Sequence, residues 1–188
     1  RPLDEANPVL DTEVGVPGGQ ARFAVITRTL SPNGLGFAIR RHRDKPWTLP
    51  LFVKNRTITP LAAGLLSFLI DGTVSMLVAG GRGAGKTSVL GSLMLEILPK
   101  TRVITIEDTL ELPVEQLREI GYNIENLKSR SVITMVETEM PADEALRTAL
   151  RLGDSALIVG EVRSTEAKAL YEAMRIGALS NVVAGTIH

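Results

Sequence analysis

The chain contains no cysteine, which excludes a disulfide framework or a thiolate zinc centre within it and is compatible with a reducing, cytoplasmic setting. It has no excess of either charge. Lys plus Arg and Asp plus Glu number 21 each, for a net charge of zero, whereas nucleic-acid machines usually carry a basic surplus. Long apolar runs are missing too. The longest, Leu61 to Ile70, is ten residues interrupted by Gly64 and Ser67, about half of what a membrane-spanning helix needs. No signal-type N-terminus, internal repeat or low-complexity tract is visible, and the first residue is Arg1 rather than Met. The chain therefore reads as a piece of a longer product.

What is present is ordinary globular composition, 44% hydrophobic and 22% charged over 188 residues, enough for one full domain and part of another. Residues 1–45 are rich in Pro, Gly and short β-type runs. Ala21 to Thr27 and Leu35 to Arg40 read as two strands around the turn signal Ser31-Pro32-Asn33-Gly34, the closing strands of a small N-terminal domain. A basic connector follows, Arg40 to Lys45, read as a solvated hinge, with anionic lipid or a nucleotide as the alternative ligands.

From residue 46 the texture becomes alternating helices and buried strands. Thr59-Pro60 pairs a capping residue with proline at the first helical position, predicting a helix to about Gly72. Apolar strands are expected at Ser75–Ala79, Arg102–Ile106, Ala156–Val159 and Asn181–Ile187, with helices at Lys86–Leu98, Pro141–Leu152 and Ser164–Ile176. Strands buried on both faces and separated by helices imply a parallel α/β sheet.

Between the first of these strands and its helix stands Gly80-Gly81-Arg82-Gly83-Ala84-Gly85-Lys86-Thr87, a full G-x-x-x-x-G-K-[ST] phosphate loop followed by Ser88. Glycines let the backbone turn its N–H groups inward, and the following helix adds the positive end of its dipole. Lys86 is placed for the β- and γ-phosphates and Thr87 for Mg²⁺. No N-K-x-D guanine-reading element follows, so ATP is the expected nucleotide. In open α/β sheets the ligand lies beyond the carboxyl ends of the strands. Glu107 and Asp108, Glu161, and His188 stand at three such ends. Glu161 is the candidate to orient or deprotonate the attacking water. Gly160 replaces the metal-binding Asp common before it, so Asp108, Glu107 or Glu161 is left to supply the second contact to Mg²⁺. Arg147 and Arg151, four apart, and Arg163 beside Glu161 read either as a solvated face or as an arginine finger reaching a neighbouring subunit.

Taken together, these residues resemble the secretion-superfamily ATPases of type II and type IV secretion, type IV pili and archaeal filaments. GGRGAGKT matches the P-loop, ITIEDTLEL an acidic box (Glu107, Asp108, Glu111), LIVGEVR an atypical Walker B, and VVAGTIH a histidine box ending in His188. ALRTALR is similar to that family's arginine-bearing helix, and KPWTLPLFVKNRTITP and EDTLELPVEQLREIGYN are similar to its archaeal branch. The resemblance implies a RecA-like core, a hexameric ring, nucleotide bound between the N-terminal and motor domains, and His188 sensing it. It also implies a membrane platform protein as partner and a place at the cytoplasmic face of a membrane. Two other readings stay open, a RecA-like nucleic-acid translocase and a module that binds nucleotide without turnover.

Overall fold

The apolar alternation near the N-terminus does build strands, and a third lies beside them. The computed structural model describes residues 3–17, 19–129, 140–162, 166–176 and 181–187. β1 (Val9–Val16), β2 (Gly19–Ile26) and β3 (Gly36–Arg41) form an antiparallel sheet in that order. β1 escapes the strand pattern because Asp11, Glu13 and Gly15 break its apolar run. The register sets Glu13 opposite Arg22 and Asp11 opposite Ala24, and then Arg22 opposite Arg40 and Ala24 opposite Ala38. Directly opposed residues share a face, so charge gathers on one side of this sheet, while Phe23, Val25, Phe37 and Ile39 take the other.

A connector leads to α1 (Leu49–Lys54) and α2 (Pro60–Asp71). The Thr59 hydroxyl accepts from the Ala62 amide, as its capping position predicts. Gly72 ends α2 with φ −74°, and it is Thr73 that takes the left-handed turn at φ 55°. α1 was not legible: at six residues with Pro50 inside its first turn, it shows no periodicity.

β4 (Met76–Ala79), β5 (Val103–Glu107), β6 (Ile124–Lys128), β7 (Ala156–Val162) and β8 (Val183–Ile187) make a second sheet of order β4-β8-β7-β5-β6. Every neighbouring pair is parallel. The chain runs outward to β5 and β6 through α3 (Lys86–Met94) and α4 (Val114–Glu119), then returns to β7 and β8 through α5 (Ala142–Ala149) and α6 (Glu166–Ile176). Right-handed crossovers put helices on opposite faces when the direction of travel reverses. Accordingly Leu90, Leu93, Met94, Val114 and Leu117 pack with Val103, Ala156 and Ile158 on one face. Leu146, Ala149, Leu170 and Ala173 pack with Ile104, Ile106, Leu157 and Val159 on the other. The expected mixed α/β class with a parallel sheet is what forms. α3 stops at Met94 rather than Leu98, and α4 and β6 are additional elements. Among the described residues no helix is long and apolar enough to cross a membrane.

Two local features shape the carboxyl end of this sheet. β7 continues through Gly160 and Glu161 to Val162, so Glu161 lies within the strand and not after it. Across from it the register slips: Val159 faces Gly185 but Val162 faces Ile187, three steps against two. A bulge of this kind bends the strand and re-aims a side chain, here at Glu161. Thr186 anchors it by donating from Oγ1 to the Gly160 carbonyl at 2.6 Å. The second feature is a near-collision: a Cβ at Gly160 would stand 2.8 Å from Glu107 Cγ and 3.4 Å from the Ile106 carbonyl. Glycine is present because the neighbouring strand's carboxylate already fills the space.

Gly160→Ala is therefore expected to cost about 1–3 kcal/mol by overpacking, measured by urea denaturation. The cost should shrink in a Glu107→Ala background, where the obstructing Cγ is gone. Equal costs in both backgrounds would refute the contact.

Candidate nucleotide-binding site

The phosphate loop runs from the end of β4 into α3. Its Gly80 amide donates to the Ile187 carbonyl at 3.3 Å, tying the loop to β8. Gly83 and Gly85 adopt φ 77° and 88°, a region that side chains avoid, and Gly85 caps α3. Lys86 Nζ donates to the Gly80 and Gly81 carbonyls at 2.9 and 3.1 Å, so the ammonium is held over the loop. α3 itself is fixed by Leu90, Leu93 and Met94, which are buried against the sheet.

Three cavities meet at Thr87. A cleft of about 600 Å³ separates the two sheets and is lined by Arg82, Gly83, Lys86, Thr87, Glu161 and Thr186 from one side and by Asp11, Arg22, Ala24, Ala38 and Arg40 from the other. A second cavity of about 280 Å³ runs along the connector, lined by His42, Arg43, Pro46 and Trp47 and, facing them, Ser88, Gly91, Pro113 and Gln116. Trp47 stacks on Phe52 at 4.9 Å, and the Arg43 guanidinium lies 4.2 Å from its ring. The third is a recess of about 30 Å³ among Arg22, Thr87, Glu107, Asp108, Gly160 and Glu161, room for about two water molecules.

Glu107 is the buried acid of this group. Its Oε1 accepts from the amides of Glu111 and Leu112, both at 2.8 Å, which closes the loop between β5 and α4. Its Oε2 has no hydrogen-bond partner among the described residues. Burial pushes the carboxyl from its ordinary 4.5 up to about 7, against the opposing pull of the two amides. Arg22 lines the same recess. It grips Asp11 through Nε at 3.0 Å and Nη2 at 2.6 Å, and that hydrogen-bonded carboxylate raises the guanidinium further above its ordinary value. The loop after β5 also meets the N-terminal sheet through Glu13, which accepts from the Leu110 amide at 3.2 Å.

The sequence-predicted residues divide into three groups. Loop residues Arg82, Gly83, Lys86 and Thr87 and the acids Glu107, Asp108 and Glu161 line the cleft or its recess, with Gly80, Gly81, Ala84, Gly85 and Ser88 in or beside the same loop. Arg147 and Arg151 do not join them: α5 lies on the sheet face opposite α3, Arg151 falls beyond its last helical residue, and both are exposed. Arg163 and His188 lie outside the described residues. Of the connector Arg40 to Lys45, all but His42 are exposed. Arg40 and Arg41 belong to β3, and residues 40–43 line the cavity beside Thr87 and Ser88. Arg22 and Asp11 were missed altogether. The available signal was an arginine at the second position of the otherwise apolar run Ala21 to Thr27, which alternation aims away from Phe23.

The sequence matches the family described as type II/IV secretion system protein over residues 21–188. A putative conjugal transfer protein of Mycobacterium tuberculosis is 29% identical over 191 residues, covering 100% of this chain and 52% of its own length. An uncharacterised protein of Methanocaldococcus jannaschii is 32% identical over 94% of this chain and 24% of its own length. The chain thus spans about half the length of the first curated relatives that it matches. Among solved structures, the ATPase DotB of Legionella pneumophila superposes with a TM-score of 0.71 at 18% identity, covering 100% of this chain and 50% of that one. The VirB11 ATPase of the Brucella suis type IV secretion system, in complex with sulphate, gives 0.52 at 22%, covering 99% and 60%. At these identities the likeness establishes a shared fold.

The Glu107 carboxyl has a testable pH signature. Because its folded value, about 7, lies above the ordinary 4.5, the folded state binds the extra proton between those values. Its contribution is complete below pH 4.5 and is lost as pH rises through 7. Glu107→Gln cannot titrate. With EDTA present and no nucleotide, urea midpoints should show wild type losing stability relative to Glu107→Gln between those two pH values and holding level on either side. Parallel curves would contradict a buried, proton-binding carboxyl.

Proposed function

The chain belongs to the type II/IV secretion system protein family, and from that premise we propose that it is the ATP-hydrolysing core of a motor that powers protein secretion or the assembly of a pilus or surface filament. The observation that carries this reading is convergence. A phosphate loop, three carboxylates from the ends of two strands, and arginines from a separate sheet all line one connected cleft. In this reading the polyphosphate lies along Gly80–Thr87, received by the loop amides and the α3 N-terminus, and Lys86 turns from the Gly80 and Gly81 carbonyls to the terminal phosphates. The adenine takes the cavity along the connector, between Trp47 and Gln116.

Mg²⁺ suits the residues present. The oxygen donors around the small recess include those of Thr87, Asp108, Glu161 and Glu107. No group of three or more His, Cys, Asp and Glu among the described residues could hold a metal alone. Mg²⁺ normally shares its shell among one or two carboxylates, water and substrate phosphates. When bound there, it neutralises charge on the phosphates. The bulge aims Glu161 at the same recess, where it orients or deprotonates water; Glu107, with a carboxyl near pH 7, is the alternative base.

The finer architecture is part of the proposal. Residues 1–45 close an N-terminal domain, and residues 46–188 are a RecA-like core. The whole protein forms a hexameric ring at the cytoplasmic face of a membrane, bound to a membrane platform protein. Similarity to proteins of both Methanocaldococcus and Mycobacterium leaves the archaeal branch as our reading of the motifs. A second reading, a motor within a DNA-transfer machine, is favoured by relatives named as conjugal transfer proteins. Hydrolysis stimulated by DNA would select it over the first.

Calorimetry should find ATP bound more tightly than GTP, and Lys86→Ala should abolish tight binding. Glu161→Gln should bind ATP but hydrolyse it about 10²–10⁴-fold more slowly. Unchanged affinity in the first variant removes the phosphate-loop assignment, and turnover within twofold in the second moves the base to Glu107.

Arg147, Arg151 and Arg163 are proposed as fingers for a neighbouring subunit, a role supported by the exposure of the first two. Known fingers contribute about 10³–10⁵ in rate. Mixing full-length finger variants with Glu161→Gln under subunit exchange should restore partial ATPase activity. Rings that exchange subunits but stay inactive mean either that the arginines act within their own subunit or that the ring tolerates no dead site, and a covalently linked pair carrying one substitution per half separates those two cases.

A further inference from the structure

Glu111 occupies an unusual position, at the wall shared by all three cavities. Its backbone is committed, the amide donating to Glu107 Oε1 at 2.8 Å. Its carboxylate is not committed in the same way. Oε1 stands 3.6 Å from Arg40 Nη1 and 3.9 Å from Arg22 Nη1, beyond the reach of an N–H···O hydrogen bond. Contrast Asp11, which grips Arg22 at 3.0 and 2.6 Å. Arg22 and Arg40 are also directly opposed across β2 and β3, a like-charge pairing that destabilises a sheet unless something neutralises it. Arg22 has Asp11 for that purpose. For Arg40, whose side chain is 60% exposed, the anion at hand is Glu111.

Resting on the reading of the cleft as a polyphosphate site, we propose that Glu111 is the exchangeable counter-ion of Arg40 and Arg22, holding the pair in the cleft until the terminal phosphates of a nucleotide replace it. The contact distances suit exchange: the ion pair is a loose Coulomb contact between partly exposed groups, which water and salt screen. Phosphate oxygens offer the same guanidinium a charge-assisted, bidentate partner. Because the Glu111 amide stays bound to Glu107, the carboxylate can swing aside without loosening the loop. Glu111 is then a positioning residue that lowers affinity for polyphosphate and keeps the N-terminal sheet docked over an empty cleft.

The test is calorimetric titration of the full chain with ATPγS and with AMP, in Mg²⁺ at moderate salt. Glu111→Gln keeps the size of the side chain and its backbone hydrogen bond while removing the charge. It should tighten ATPγS binding by roughly two- to fivefold, the range of a screened surface ion pair, and leave AMP unchanged. Glu111→Asp keeps the charge and should stay within twofold of wild type. In an Arg40→Ala background the gain from Glu111→Gln should fall to a small fraction of its original size. Unchanged or weaker ATPγS binding in Glu111→Gln overturns the proposal. So does a gain of equal size without Arg40, which would reduce the effect to repulsion between the carboxylate and the ligand. If wild type fails to bind ATPγS, or Lys86→Ala binds it as tightly as wild type, the nucleotide reading fails and this one with it.

Discussion

Much of the candidate site depends on one buried carboxylate. Glu107 ends β5 inside the protein, where an uncompensated charge is costly, and two backbone amides of the following loop offset part of that cost. The same two bonds close the turn that carries Glu111 toward the N-terminal sheet and delivers Pro113 to α4. On the adjoining strand, a Cβ at position 160 would crowd the space that Glu107 occupies. A carboxylate, a glycine on the next strand and a tight acidic loop are thus one packing solution, and substitution at any of them is felt by the others.

The cleft is built by opposition between sheets of different origin. The parallel sheet contributes a phosphate loop and acids because its strand ends all point one way, as parallel strands must. The antiparallel sheet contributes arginines and an aspartate because its alternation sorts Arg22, Arg40 and Asp11 to one face and Phe23 and Phe37 to the other. Contacts such as Glu13 to Leu110 and Arg40 to Glu111 join the two. They are polar and partly exposed, the kind of interface that binding of a charged ligand can reweight. Net neutrality of the chain therefore conceals a dense clustering of both charge signs around the site.

Some of this was legible in the linear sequence. The phosphate loop, the Thr59 cap, the buried strands and the acids beyond them are local patterns: each is decided by spacing, glycine freedom or hydrophobic period within a few residues. Short or polar elements were not legible. β1 mixes acids into its apolar run, and α1 and α4 are six residues each, too short for a helical period to show.

Neighbours in the chain are enough to specify that a glycine-rich loop of the phosphate-loop pattern joins a buried strand to a helix and that carboxylates follow the later strands, because those features depend only on local spacing. Which carboxylate is buried, how the bulge aims Glu161, and why residue 160 is glycine were decided by strand order, since β5 and β7 are neighbours in space but lie about fifty residues apart. Tertiary structure also decided the arginines. Arg22 and Arg40 reach the cleft because a separate sheet docks there, while Arg147 and Arg151 lie elsewhere because right-handed crossovers send α5 to the opposite face. Contacts between residues remote in sequence depend on the global chain path, which no local pattern encodes.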